Sequence, residues 1–244
     1  MSETICSFSH FSLSKEEKKE TFGSLKNIYS IQYNSDYPHL LRSISFILGD
    51  ENCSIYNKRK ITFTAKKVQT LEMHLTEREK KTSKASLSYN SCLSLLYNLA
   101  NQNSFLEKEK EKEKEKKYSI FCIRLKDILV INDSNFIFVN PENIGPVDAA
   151  GQITFLSPFS RRGFCSPEIL LLDFLPCKLG VETFYYSLGA LAVFCVANVN
   201  VSELCSESKI DLSSVLKQIF GTKLYWTILR LLHVEPKKRI FLFV

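Results

Sequence analysis

The chain has 244 residues, room for one large domain or two small ones, and its 45% hydrophobic content is enough to fill a core. With only eight Gly and seven Pro it is neither collagen-like nor low-complexity overall. The formal net charge of +6 sits in one place: between Tyr56 and Lys84 nine Lys or Arg face three acids, a surplus of six that leaves the rest of the chain at zero. That span reads as a solvated helix and loop. The sharper alternative is a basic surface from Lys58 to Lys84 that recruits an anionic partner. No aromatic residues are interleaved there as a stacking platform, which argues against nucleic acid.

Eight cysteines stand at positions 6, 53, 92, 122, 165, 177, 195 and 205. None forms a C-x-x-C pair, and none has a histidine at zinc-ligand spacing. Most lie in apolar runs, where Cys behaves as a small hydrophobe, so reduced thiols in a cytoplasmic or nuclear setting are expected. Met1 to His10 lacks the basic head and apolar core of a signal peptide. Phe184 to Ala197 is nearly all apolar, but its 14 residues fall short of the roughly 20 that cross a bilayer. It reads as a buried helix, and no membrane association is expected.

In chain order, apolar runs at Ile28 to Tyr33 and Leu40 to Leu48 flank a Pro-His turn and read as two strands, or as a strand and a helix. Ile61 to Ala65 alternates like a strand, and Val68 to Leu75 begins a helical pattern. Lys80 to Ser86 is a polar linker. Ser88 is placed to cap a helix in which Tyr89, Cys92, Leu93, Leu96, Leu99 and Ala100 recur at three and four. Glu107 to Lys117 is nearly pure Glu-Lys alternation. Its i,i+3 attractions and i,i+4 repulsions, each a few tenths of a kcal/mol, roughly cancel, so it reads as a solvent-exposed insertion. A hairpin follows: Asp127 to Ile131, the turn Asn132-Asp133-Ser134-Asn135, and Phe136 to Val139. Asn140 to Cys165 shows little periodicity. Helices are expected from Thr183, near Leu212 to Phe220, and over Lys223 to His233.

Three further landmarks come in order: Ser166-Pro167-Glu168, then Tyr186-Ser187-Leu188-Gly189, then Glu235-Pro236-Lys237-Lys238-Arg239. With the hairpin they resemble the lower lobe of protein kinases, as in the divergent kinase-like proteins of large DNA viruses. The resemblance runs from Leu87 to the C-terminus. It implies an α+β, protein-kinase-like fold: a mainly helical C-lobe over 76–244 and a reduced, β-containing N-lobe with a hinge-like segment over 1–75. In the family's order of catalytic loop, hairpin, D-F-G and A-P-E, Asp127 falls at the metal-binding Asn of the catalytic loop. Cys122 falls at the catalytic Asp, Asn140 at the metal-binding Asp, and Phe184 at the Asp that anchors the loop from below. Glu168 and Arg239 fall at the buried ion pair that ties the activation segment to the lower helices.

Phosphoryl transfer needs an acid to orient the hydroxyl, ligands for the metal, and a lysine on the phosphates. Cys122 is no carboxylate, and no G-x-G-x-x-G is present. Thr64-Ala65-Lys66-Lys67 resembles V-A-I-K, yet only 20 residues separate Lys67 from Ser88, too few for the helix, two strands, hinge and further helix that follow the family's lysine. Lys66 and Lys67 therefore read as solvated charges. The function implied is that of a catalytically inactive kinase-like protein, a protein-binding or scaffolding module. The alternative is a residual serine/threonine kinase in which Asp127 and Asn140, one carboxylate and one amide, hold ATP and magnesium. A second register, with Arg124 as the loop arginine and Asp127 as the catalytic acid, needs a deletion. Ser160-Arg161-Arg162 is a candidate docking or modification site, and His233 a packing or capping residue.

Overall fold

The computed structural model describes residues 2–19, 25–83, 85–108, 116–201 and 211–242. The chain opens with β1 (Ser2–Ser7), β2 (Phe11–Lys19) and β3 (Leu25–Tyr33), continues through helix α1 (Pro38–Leu48), and completes a sheet with β4 (Cys53–Asn57) and β5 (Lys60–Ala65). The five strands are antiparallel in the order β1-β2-β3-β5-β4. Register makes the inner face: Leu13 pairs with Ile31 and Ile31 with Ile61, while Phe11 pairs with Tyr33 and Tyr29 with Phe63. All are buried, so alternate residues of three strands form one apolar surface. Pro38 starts α1 at the position where its missing N–H costs nothing. Leu40, Leu41 and Ile44 of α1 join the same core.

A second sheet is built from β6 (Val68–Thr70), β8 (Ile128–Ile131) and β9 (Asn135–Phe138), in the order β6-β8-β9. Asn132 and Asp133 both have positive φ, as a type I′ turn requires, and these residues tolerate it best after glycine. Leu129, Ile131, Ile137 and Val139 belong to the core beneath the first sheet. The Tyr33 hydroxyl donates to the Val139 carbonyl at 2.8 Å, joining the two sheets. A third sheet, β7 (Lys117–Ile120), β10 (Ile144–Val147), β11 (Gln152–Phe155) and β12 (Cys177–Gly180), runs in the order β12-β11-β10-β7.

The helices are α2 (Leu71–Thr82), α3 (Tyr89–Lys108), α4 (Pro167–Leu170), α5 (Glu182–Ala197), α6 (Leu212–Val215) and α7 (Lys223–Leu231). Ser88 caps α3 as expected, accepting from Ser91 N at 3.2 Å. Helix α5 is buried on every face, which explains why its sequence shows no polar stripe. It packs with α3 and α7 in a second core. Gly189 lets α7 close in, since a Cβ there would stand 2.8 Å from Leu231 Cβ. No helix among the described residues is long and apolar enough to cross a membrane. Of the Glu-Lys run, 109–115 lies outside the described residues.

The expected mainly helical C-lobe under a reduced N-lobe is not what the chain builds. Three antiparallel sheets of five, four and three strands are spread along it. The largest occupies the first 65 residues, and the strands of the other two, β6 excepted, lie within the part expected to be helical. The expectation failed because β2 reads FSLSKEEKK: after Phe11 and Leu13 its charges resemble a solvated loop, although it pairs with β3 along its whole length. The four-residue strands β10, β11 and β12 are too short to show a period.

Candidate functional site

Strand β7 ends at Ile120, and the chain then runs Phe121-Cys122-Ile123-Arg124 before a 3₁₀ turn, Leu125–Asp127, leads into β8. Phe121, Cys122 and Ile123 are all buried, so this loop crosses the interior. Its backbone is held at Phe121, whose N–H donates to Asn143 O and whose carbonyl accepts from Ser187 Oγ of α5 at 3.2 Å. Ser187 thus supports the loop from below. The sequence placed that role at position 184, where Phe184 is buried.

Asp127 is 2% exposed and lies at the neck of the β8–β9 hairpin, its carbonyl accepting from Val139 N at 2.9 Å. That bond brings the neighbouring Asn140 close enough for the two to line one recess. The Asp127 carboxylate faces Arg124. Nε and Nη2 of Arg124 donate to its two oxygens at 2.7 and 2.9 Å, and Asn143 Nδ2 adds a third bond at 3.1 Å. Asn140, also 2% exposed, accepts from Glu142 N through Oδ1, and its Nδ2 has no hydrogen-bond partner.

Asp127, Asn140, Arg124 and Glu142 line a recess of about 250 Å³ whose roof is the β1–β2 turn, with Phe8, His10 and Phe11. His10 Nε2 lies 2.5 Å from Glu142 Oε1, and Arg124 Nη2 lies 3.7 Å from Glu142 Oε2. The turn is therefore tied down across the mouth of the recess by an ion pair when His10 is protonated. Among the described residues no three His, Cys, Asp or Glu side chains cluster as a metal site.

Cys122 Sγ contacts Cys165 Sγ at 2.6 Å and reaches Arg162 O at 3.4 Å. The contact with Cys165 and then burial push the Cys122 thiol far above its ordinary range, so it keeps its proton at neutral pH. It can neither accept a proton nor carry negative charge toward a hydroxyl.

Glu168 and Arg239 come together across 71 residues of sequence. Arg239 Nη1 and Nη2 donate to the two Glu168 oxygens, Nε donates to His233 O at 2.7 Å, and Nη2 also reaches Val234 O at 3.1 Å. The guanidinium lies 5.0 Å from the Tyr186 ring centre. Arg161 and Arg162 are exposed, Arg161 donating to Leu170 O at 3.2 Å. Lys67 forms a surface pair with Glu77 at 2.7 Å and Lys66 is exposed, so both are solvated charges as read from sequence. His233 accepts from Glu235 N through Nδ1, a capping contact.

Sequence reasoning missed His10, Glu142, Cys165 and Ser187. The first two meet across 132 positions (142 minus 10), and no local spacing signals such a pair. Neither the known family models nor the curated proteins provide a match to this chain.

Proposed function

We propose that this chain is a catalytically inactive kinase-like protein that serves as a protein-binding or scaffolding module. The observation that carries the reading is the state of Cys122. The position that would hold the catalytic acid carries a buried, protonated thiol packed against Cys165. The ion pair Glu168–Arg239 supports the scaffold without supplying chemistry.

The upper half also argues against nucleotide chemistry. The family pairs a lysine on the strand before the helix with a glutamate on that helix. Here the strand presents Tyr29, Ile31 and Tyr33 inward, and α1 contains no acidic residue. Phe11, Leu13, Ile31 and Phe63 share one apolar core with Leu129 and Ile131 of β8, so side chains fill the space between the sheets. Protein binding is supported by the exposed apolar residues Leu156, Leu171 and Phe174 on the stretch that also carries Arg161 and Arg162.

Thermal unfolding with increasing magnesium-ATP tests the reading. A ligand of the native state raises the melting temperature with its concentration, so the expected result is a shift below about 1 °C at millimolar nucleotide. A saturable rise of several degrees would overturn the reading in favour of a residual serine/threonine kinase built on Asp127 and Asn140, which share the recess.

A further inference from the structure

We propose that Cys122 and Cys165 are a disulfide-forming pair, a two-electron modification site that staples the buried loop after β7 to the segment leading into α4. The first support is backbone register. Ile123 and Phe164 form an isolated antiparallel bridge, and Phe164 N donates to Ile123 O at 2.8 Å. Beside that bridge stand Cys122 and Cys165, whose sulfurs lie 2.6 Å apart across the two segments.

The second support is a glycine. Gly163 has φ +108°, and a Cβ there would stand 2.5 Å from the Ile123 carbonyl oxygen. Only glycine lets the segment come this close to the loop, and that approach sets the two thiols side by side. The third is the contrast with the other described cysteines. All seven described cysteines are free thiols, and among them the sulfur–sulfur contact at 2.6 Å is that of Cys122 with Cys165.

The oxidant is a peroxide. One thiol gives up its proton and attacks it: an S–O bond forms, the O–O bond breaks, and the departing hydroxide takes that proton and leaves as water, giving a sulfenic acid. The second thiol attacks that sulfur: the S–S bond forms, the S–O bond breaks and a second water leaves. Two thiols lose two electrons in total and one peroxide gains them. Both sulfurs are enclosed, so reaction waits on the 156–166 segment lifting and is slow. Enclosure also shields the finished bond from reductants.

The test is overnight incubation of the full chain with millimolar hydrogen peroxide, then denaturation, alkylation and mass spectrometry. Six of the eight cysteines should be alkylated, with a linked peptide containing Cys122 and Cys165. Dithiothreitol should restore eight. The oxidised protein should melt on the order of 5 °C higher than the reduced one. Cys122→Ala and Cys165→Ala should each abolish the link, whereas Cys92→Ala should keep it. Eight alkylated cysteines after oxidation, a link between other positions, or Cys122 carried to a sulfinic acid without a partner each overturn the proposal.

Discussion

Removing Glu168 is the perturbation for which the structure makes the firmest demand. The Arg239 side chain is 1% exposed while that of Glu168 is 22% exposed, so the two halves of the pair are not equivalent. Glu168→Ala leaves a cation sealed inside the protein, helped by the carbonyls of His233 and Val234 and by the Tyr186 ring but by no anion. Breaking a buried pair this way costs about 3–5 kcal/mol. Arg239→Ala leaves a carboxylate that still reaches water, so its charge penalty is smaller. It also removes the cation from the Tyr186 ring, while the His233 and Val234 carbonyls it frees belong to residues that reach water. Glu168→Ala should therefore be the costlier of the two single variants. The Glu168→Ala/Arg239→Met double variant should recover part of the loss, because no charge is stranded. Urea unfolding at pH 7 reads all three, with midpoints falling and slopes unchanged. A Glu168→Ala loss under about 1 kcal/mol, or single losses that add within about 0.5 kcal/mol in the double variant, would refute the reasoning.

Two further substitutions probe helix α3. Gln102 is fully buried and stands in for a fourth strand beside β9: Nε2 donates to Phe138 O, and Oε1 accepts from Phe138 N. Gln102→Leu leaves both backbone groups without partners and should cost about 2–5 kcal/mol, summing two buried unsatisfied groups; an unchanged urea midpoint would rule this out. Glu107 sits where burial holds its carboxyl above the usual value, despite bonds from Ser119 and Asn103 that lower it. The native state then binds a proton that the unfolded state releases, so stability falls as pH rises from the unfolded value of 4.5 through the raised one. Glu107→Gln should raise the melting temperature at pH 7, with a gain that shrinks as pH falls toward 4.5. A difference independent of pH would contradict this.

What the sequence disclosed follows from how locally each feature is determined. Helix α5 was legible because the fourteen nearly uniform apolar residues from Phe184 to Ala197 fit only a buried helix at that length. The hairpin was legible because Asn132 and Asp133 tolerate the left-handed backbone a tight turn needs. Those anchors set the register that singled out Asp127, Asn140, Glu168 and Arg239; the structure pairs Glu168 with Arg239 and puts Asp127 and Asn140 on one recess. The first sheet was not legible. Its strands β1, β2 and β3 lie in the first 33 residues, where only the run Ile28 to Tyr33 was apolar enough to read. Lys66 and Lys67 imitated a motif, while the true signal was the inward row Tyr29, Ile31 and Tyr33 crossing to Ile61 and Phe63. The contacts of His10 with Glu142 and of Cys122 with Cys165 depend on tertiary approach alone, which no spacing encodes.

Asp127 shows why a retained acid is poor evidence for retained chemistry. A carboxylate kept for catalysis must leave an oxygen lone pair facing substrate or metal. This one spends both oxygens on Arg124 and a further bond on Asn143. Arg124 is held above even its ordinary basicity by Asp127 and Glu142, against the opposing effect of its own burial. Without Asp127 the loop would carry a partly buried cation with only Glu142 at 3.7 Å to answer it. The acid, the arginine and the His10–Glu142 tie therefore form one network, and its members account for one another structurally. The same letter would stand in the sequence under either role, and only the direction the oxygens face distinguishes them.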